Sequence, residues 1–165
     1  MVSLLEGLTL HWLSVRSGVY KLCEIEGLPR IKLSEHVEKV TLPGRKEAYR
    51  LFNKDGLPVI DLLCKFGGEV PVVGQRILCK HPFDEVKRCY ITPSKVELLQ
   101  KMVWGPKTEG AASTVLCDVP SIADVRSFAA EQMDSLRPDH RRLLNPTPYK
   151  ISVTAELHDH CPPRP

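Results

Sequence analysis

The densest run of residues that could bind a metal lies near the C-terminus, where His158, Asp159, His160 and Cys161 follow one another. Imidazole and thiolate are the ligands that copper, nickel and zinc favour. A terminal segment followed by Pro162 and Pro163 offers no neighbouring groups that would orient these side chains. We therefore expect adventitious metal affinity here, and no built metal site.

A small basic group follows in the same half of the chain: Arg137, His140, Arg141 and Arg142. Guanidinium groups bind phosphates and carboxylates through paired hydrogen bonds, so this group could receive an anion. The alternative is a solvated surface beside a helix. We favour the surface interpretation, because no other feature of the sequence points to an anion.

The remaining candidates are isolated side chains. His36 lies between Glu35 and Glu38, and His81 precedes a proline, so both are interpreted as loop residues with no base or nucleophile partner. Cys23 and Cys89 fall within predicted strands, where a cysteine more often acts as a small apolar core residue than as a nucleophile. The sequence contains no glycine-rich phosphate loop, Walker motif or nucleophile elbow. It therefore predicts no catalytic, cofactor-binding or metal-binding residue.

Composition limits the class of protein. The chain has 165 residues with 42% hydrophobic and 26% charged content, which suits a soluble domain but is short for an enzyme barrel of about 250 residues. The formal charge is +3, with acidic and basic residues interleaved, so nucleic acid is not expected as a partner. No apolar run approaches the length of about 20 residues that a membrane span needs.

Cysteine spacing excludes two further classes. The six cysteines lie far apart and form no CxxC pair, which argues against a zinc site. The chain is not small and lacks a convincing signal peptide, so a secreted disulfide framework fits poorly. Reduced thiols are the simpler interpretation.

The elements that would position these residues begin with a series of short strands between Gly18 and Leu63. Val19–Ile25, Arg30–Leu33 and Val40–Leu42 are predicted strands, and Glu26–Gly27 is a tight reversal. Ala48–Phe52 and Val59–Leu63 flank Asn53–Gly56, a strong hairpin signal because Asn, Asp and Gly tolerate left-handed backbone. This pattern predicts a β-meander.

The second half of the chain adds strands and one main helix. Arg76–Lys80, Lys87–Ile91 and Tyr149–Val153 are predicted strands, and Gly105–Ser113 is a polar loop. Residues 95–104 fit either a strand or a helix, because Val96, Leu98 and Leu99 match both periods.

Ser121–Leu136 is the clearest helix, with Ser121 and Asp124 as a capping box. Its apolar stripe consists of Ile122, Val125, Phe128, Ala129, Gln132, Met133 and Leu136. Pro138–Leu144 is a predicted second short helix.

Several segments in order carry a family resemblance. They are Gly18–Leu22, Arg30–Ser34, Glu38–Thr41, Leu42–Gly44, Pro120–Ile122 and Leu136–Pro146. Together they resemble the C-terminal part of the eukaryotic nicotinate phosphoribosyltransferase family, over roughly Gly18 to Leu157. The resemblance implies an α+β fold: a β-meander of short antiparallel strands with one main amphipathic helix near the C-terminus, similar to that part of a type II phosphoribosyltransferase without its barrel. It also implies extended chain at residues 95–104, so we favour a strand there.

The resemblance also implies domain limits. We expect an atypical leader at residues 1–17, the family domain at 18–157 and a disordered tail at 158–165. The leader replaces a family segment near the phosphoribosyl site, which suggests a chain that starts inside a longer protein. A weak targeting signal is the alternative for the leader.

The implied activity belongs to NAD salvage in the cytosol. The family makes nicotinate mononucleotide from nicotinate and phosphoribosyl diphosphate, with ATP coupled through a phosphorylated histidine and with magnesium. Its substrate residues lie upstream of the part that Gly18 corresponds to, so no catalytic residue is carried over. We expect a fragment or truncated form that is inactive alone.

Two alternatives stay open. One is a non-catalytic interaction module that docks on full-length subunits of the enzyme. The resemblance implies that these subunits form homodimers. The other is a product with no independent function that folds poorly.

Overall fold

The computed structural model describes residues 21–31, 41–108 and 110–159. The chain divides into two compact units, Met1–Arg45 with His160–Pro165, and Lys46–Asp159. The leader at 1–17 lies outside the described residues, as do His36, His160 and Cys161. No helix in the described ranges is long and apolar enough to cross a membrane.

The described part of the first unit contains one small hairpin. β1 (Glu24–Ile25) pairs antiparallel with β2 (Leu28–Pro29). The reversal is built by Glu26 and Gly27, whose φ angles of 48° and 75° are those of a left-handed two-residue turn. The tight reversal predicted at these two residues is confirmed.

The described residues around this hairpin form less strand than the sequence predicts, and Val19, Tyr20, Lys32, Leu33 and Val40 of the predicted strands lie outside the described residues. β2 ends at Pro29, whereas the predicted strand began at Arg30, and Thr41 and Leu42 lie outside any strand. The backbone amides of Arg30 and Gly44 both donate to the Cys23 carbonyl, at 2.8 and 2.7 Å. Cys23 itself precedes β1, so its predicted place in a strand is wrong. The Arg30 bond continues the pairing of this hairpin by one residue, and the Gly44 bond brings a second segment of the first unit to the same carbonyl.

The second unit is built on a six-stranded sheet in the order β6-β5-β10-β4-β3-β7. Its strands are β3 (Lys46–Phe52), β4 (Pro58–Lys65), β5 (Ile77–Lys80), β6 (Arg88–Ile91), β7 (Lys95–Leu98) and β10 (Ile151–Val153). The order is more than a meander, because β10 lies between β4 and β5 and runs parallel to β4. The predicted strand preference within residues 95–104 is confirmed by β7.

The central hairpin shows how the sequence sets the register. Asn53 Oδ1 accepts hydrogen bonds from the amides of Asp55 and Leu57, at 3.0 and 2.9 Å, and Gly56 adopts a φ of 74°. This Asx-type turn joins β3 to β4 and places Leu51 opposite Ile60 and Arg50 opposite Asp61. The predicted hairpin is confirmed.

Alternate residues of these strands point to opposite faces of the sheet. One face carries the buried core of Leu51, Ile60, Leu62, Cys64 and Cys79. Cys89 and Ile91 from β6 pack against this core, and so does Val96 from β7. The sheet is therefore curled, since strands from its two edges reach the same cluster.

A separate hairpin corrects the prediction of a polar loop at Gly105–Ser113. β8 (Trp104–Pro106) pairs antiparallel with β9 (Ser113–Val115), and Trp104 lies opposite Val115. Both residue types favour strands. The loop is confined to the residues between β8 and β9, where Gly110 has a φ of 80°.

The main helix, α1 (Ile122–Ser135), has the predicted N-terminus. Ser121 Oγ accepts from the Asp124 amide at 3.2 Å, and Asp124 Oδ2 accepts from the Ser121 amide at 3.0 Å. This is the predicted capping box. The apolar stripe, however, is exposed from Ile122 to Ala129, and only Gln132, Met133 and Leu136 are half-buried.

The predicted second helix at Pro138–Leu144 is absent, and the described chain turns there instead. The His140 amide donates to the Arg137 carbonyl at 3.0 Å and the Arg141 amide to the Pro138 carbonyl at 3.1 Å. These are three-residue turn bonds, and Asn145 then adopts a φ of 49°. His140 also bonds the Thr147 carbonyl through Nδ1 at 2.7 Å, which fixes a loop that a helix could not follow.

The last described element is a short helix, α2 (Ala155–Asp159). It corrects the expected disordered tail at its first two residues, because His158 and Asp159 are helical. The His158 amide donates to the Thr154 carbonyl at 2.9 Å, and Asp159 pairs with Lys80 of β5 at 2.8 Å. Residues 160–165 lie outside the described part.

Candidate functional site

The most extensive polar cluster in the described chain is centred on Arg50, on the sheet face opposite the core. The guanidinium binds Asp61 with both arms, from Nε to Oδ1 at 2.8 Å and from Nη2 to Oδ2 at 2.9 Å. The Arg50 side chain is 10% exposed and that of Asp61 is 18% exposed. This is the bidentate arrangement that gives Arg–carboxylate pairs their strength and directionality.

Two further segments meet this pair. Gln132 of α1 accepts from Arg50 Nη1 through its Oε1 at 3.1 Å. The Tyr149 hydroxyl donates to Asp61 Oδ1 at 3.2 Å, and its ring lies 5.7 Å from the Arg50 guanidinium carbon. His140 packs edge-on against the Tyr149 ring at 5.4 Å. The cluster therefore joins α1 and the following loop to the sheet.

Burial and charge fix the ionisation of the cluster. The hydrogen bond to Asp61 raises the pKa of Arg50 above its usual value, although burial opposes this. Burial and the Asp61 charge raise the pKa of the Tyr149 hydroxyl as well. Arg50 thus stays charged and Tyr149 stays neutral and donating over the physiological range. These states match the hydrogen bonds that the cluster makes.

The cluster is suited to fastening and poorly suited to catalysis. A general base needs a lone pair within reach of a substrate proton. Asp61 already accepts from Arg50 and Tyr149, and Arg50 already donates to Asp61 and Gln132. The arrangement contains no nucleophile next to a base. We interpret it as a structural contact between elements.

The basic group at 137–142 is dispersed into separate ion pairs. Arg137 binds Asp139 at 3.0 Å, and Arg141 binds Asp134 at 3.0 Å. Arg142 Nη2 donates to Thr147 Oγ1 at 3.3 Å, while His140 is buried against Tyr149. Their hydrogen-bonding groups point to different acceptors, so the structure does not bring these four residues together as an anion site.

Among the isolated candidates in the described residues, His81 follows β5, Cys89 lies on β6 and Cys23 belongs to the first unit. His81 Nδ1 accepts from the Phe83 amide at 3.1 Å, which makes it a loop residue. Cys89 lies on β6 and packs against the core, as the sequence predicts. Cys23 is half-buried in the first unit, outside the core cluster.

Of the predicted run of ligands at the C-terminus, only His158 and Asp159 lie within the described residues. His158 Nδ1 lies 3.2 Å from Asp159 Oδ1, and Asp159 also binds Lys80. The hydrogen bond from Lys80 lowers the pKa of Asp159. Within residues 21–31, 41–108 and 110–159, no group of three or more His, Cys, Asp or Glu residues is arranged to hold a metal.

Arg50 and Asp61 were not among the residues predicted from the sequence, although a signal for their pairing was present. The turn predicted at Asn53–Gly56 places residue 50 across from residue 61, and opposite charges at directly opposed positions indicate a cross-strand pair. The contribution of Tyr149 had no such local signal, because it approaches from 88 positions away.

The sequence of this chain is similar to that of a known protein family. The family described as nicotinate phosphoribosyltransferase C-terminal domain matches residues 45–160. Nicotinate phosphoribosyltransferase 2 of Arabidopsis thaliana is 46% identical over 141 residues, which are 86% of this chain and 25% of that protein. Nicotinate phosphoribosyltransferase of Dictyostelium discoideum is also 46% identical, over 86% of this chain and 24% of that protein.

A solved structure extends the similarity to three dimensions. Human nicotinic acid phosphoribosyltransferase superposes with a TM-score of 0.68 and 33% identity, over 86% of this chain and 26% of that chain. This match confirms the α+β fold, and the chain spans about a quarter of the length of these relatives. The family's profile covers well over half of the sequence, so the chain belongs to the nicotinate phosphoribosyltransferase C-terminal domain family.

Proposed function

We propose that this chain is a fragment or truncated form of a nicotinate phosphoribosyltransferase and that it has no transferase activity alone. The observation that carries the proposal is its coverage: it matches 25% of the Arabidopsis relative's length, so three quarters of that protein has no counterpart here. Bringing several substrates into reacting geometry supplies much of an enzyme's rate enhancement, and this requires the groups that bind them.

The Arg50 cluster supports the same proposal. It is the most extensive polar cluster in the described residues, and its groups are engaged with each other. Nicotinate, phosphoribosyl diphosphate, ATP and magnesium would then be bound by other parts of the complete enzyme. The chain's role would be structural, within NAD salvage in the cytosol.

A turnover assay tests this proposal. The purified 165-residue chain is incubated with nicotinate, phosphoribosyl diphosphate, ATP and magnesium, alone and mixed with a full-length relative. We expect no nicotinate mononucleotide from the chain alone, with the full-length relative as the positive control. Product formed by the pure chain would overturn the proposal.

A second function has an observation of its own, the exposed apolar face of α1. Ile122, Val125 and Phe128 lie on one side of the helix and are 76%, 51% and 62% exposed. Such a face indicates a binding surface when it is contiguous. The chain would then be an interaction module that docks through this face on a full-length nicotinate phosphoribosyltransferase subunit.

Sedimentation tests this second function. The chain is titrated with a full-length relative, and the complex is detected by its increased sedimentation coefficient. A saturable complex supports docking and predicts a change in the enzyme's rate on mixing. Independent sedimentation of the two proteins at all concentrations would reject it.

A further inference from the structure

Two cysteines face each other across the strands β5 and β6. Cys79 and Cys89 are directly opposed partners in this antiparallel pair. Both lie on the core side of the sheet, where Cys79 is buried and Cys89 is half-buried. Both are free thiols in this structure.

The spacing of this pair suits a disulfide. Directly opposed residues of an antiparallel pair have Cα atoms about 4.5–5.5 Å apart. Disulfides span Cα distances of about 4.4–6.8 Å, so the backbone needs little movement to close the bond. The Cys89 thiol is also near enough to contribute to the raised pKa of the Cys79 thiol.

The third core cysteine is excluded as a partner by the order of the strands. Cys64 lies on β4, and β10 separates β4 from β5. Strands two positions apart are about 9.5 Å from each other, since neighbouring strands are about 4.7–4.9 Å apart. This exceeds the distance of about 7 Å beyond which a disulfide requires backbone movement. Of the core thiols, only Cys89 is within reach of Cys79.

We propose that Cys79 and Cys89 are a redox modification site, at which a peroxide converts the two thiols into a cross-strand disulfide. The half-buried Cys89 meets the oxidant first. Its sulfur attacks one peroxide oxygen, the O–O bond breaks, and a sulfenic acid and one water form. Cys79 then loses its proton and attacks the Cys89 sulfur, which releases the second water and closes the S–S bond. Two thiols are oxidised and one peroxide is reduced.

The disulfide would act on an edge of the sheet. β6 is the edge strand beside β5, and an edge strand presents unpaired backbone groups that can recruit other strands. A covalent bond from β6 to β5 would hold this edge in its native register. Reduction by a dithiol would restore the two free thiols, so the modification is reversible.

Formation of the sulfenic acid and closure of the disulfide can be detected separately. Burial raises the pKa of the Cys79 thiol to about 12, and the neighbouring Cys89 adds to the shift. The thiolate is the attacking form, so closure is slow at neutral pH and accelerates as pH rises. The sulfenic acid on Cys89 should therefore be trapped by dimedone at neutral pH, while Cys79 remains unlabelled.

The test uses the wild-type chain, which is folded during oxidation and unfolded only for thiol blocking, because the folded chain shields the buried Cys79 from N-ethylmaleimide. It is exposed to hydrogen peroxide, remaining thiols are blocked with N-ethylmaleimide, and peptides are mapped by mass spectrometry without reduction. We expect the Cys79–Cys89 linked peptide to be at least about tenfold more abundant than any other cysteine pair, because these two residues are directly opposed on neighbouring strands. Dimedone added during oxidation should label Cys89.

Two variants sharpen the test. Cys117→Ser removes a cysteine outside the core cluster and should leave the link unchanged. Cys89→Ser should leave Cys79 reduced, although Cys64 lies in the same core. The proposal is overturned if both cysteines remain open to N-ethylmaleimide after oxidation, if the link forms only in denaturant, or if Cys79 pairs equally with Cys64.

Discussion

Arg50 and Asp61 illustrate how a buried charge pair can matter more for specificity than for net stability. Removing two charges from water costs several kcal/mol, which the bidentate hydrogen bonds roughly offset. The pair is nevertheless costly to break, because the remaining partner keeps its desolvation penalty without a counter-charge. Gln132 and Tyr149 also depend on this pair for their hydrogen bonds. Arg50 therefore aligns three segments of the second unit.

Replacing Arg50 with methionine should lower the free energy of unfolding by about 3 kcal/mol, since Asp61 would remain largely buried without its counter-charge. Arg141→Met is the matched control. Its ion pair with Asp134 is exposed, so its loss should cost less than about 1 kcal/mol. Urea unfolding followed by circular dichroism measures both.

The double variant Arg50→Met/Asp61→Leu separates the charge effect from packing. Removing both partners eliminates the uncompensated carboxylate, and much of the lost stability should return. If the single and double variants were equally unstable, packing of the Arg50 stem would be the dominant contribution and the charge argument would fail.

The buried thiols make stability sensitive to alkaline pH. Burial raises the pKa values of Cys64 and Cys79 from 9.0 to about 12. The unfolded chain ionises these thiols first, so their contribution is complete below about pH 9 and is lost as the pH rises towards 12. We expect each thiol to reduce the unfolding free energy by about 2 kcal/mol between about pH 9 and pH 11.

Urea titrations at several pH values in this range measure how steeply the unfolding free energy falls with pH. Cys64→Ala should remove close to half of the pH-dependent loss of unfolding free energy that the two thiols cause, even though the variant is less stable at every pH. An unchanged slope in this variant would show that Cys64 ionises equally easily in the folded and unfolded chains.

At the scale of elements, locally encoded features were predicted and cooperative ones were not. The α1 capping box and the β3–β4 turn depend on a few adjacent side chains, so the sequence was sufficient. A loop replaces the predicted helix at Pro138–Leu144. This loop depends on His140, which binds the Thr147 carbonyl and packs on Tyr149. Such contacts override a local helix preference, and no local residue pattern predicts them.

The exposure of α1 makes its cap an informative site. Its residues 122–131 are all exposed, so tertiary packing supports the first turns little. Ser121→Ala should destabilise these turns by about 1 kcal/mol, which corresponds to about fivefold faster amide exchange there. Global stability should change little. Hydrogen exchange followed by NMR measures the amides of Asp124 and Val125.

Ser127→Ala is the control within the same helix. Alanine has the higher helix propensity, so exchange should slow or stay the same. Equal exchange rates in wild type and Ser121→Ala would show that the capping box contributes nothing to this helix.

At the scale of the whole molecule, the family and the fold class were predictable, but the strand order was not. β10 enters the sheet between β4 and β5 after a separation of some 90 residues along the chain, and its parallel pairing with β4 needs only three residues. Short strands carry no information about their partners. The sheet curls so that Cys89, Ile91 and Val96 pack against the same core, and this arrangement follows from the strand order.

Binding to another protein also belongs to the scale of the whole molecule. Phe128 is 62% exposed on the apolar side of α1, whereas Ser127 lies on the opposite side of the helix. If α1 is the docking face, Phe128→Asp should weaken binding to a full-length nicotinate phosphoribosyltransferase at least about tenfold, because aromatic residues dominate such contacts. Ser127→Asp adds the same charge and should leave the affinity unchanged.

Sedimentation titrations of both variants against the full-length enzyme would measure these affinities. Thermal unfolding should show the Phe128→Asp and Ser127→Asp proteins to be as stable as the wild type, because neither side chain is buried. Equal affinities for Phe128→Asp and the wild type would move the docking surface away from α1. Equal weakening by the two variants would indicate that added negative charge, and not the apolar face, determines binding.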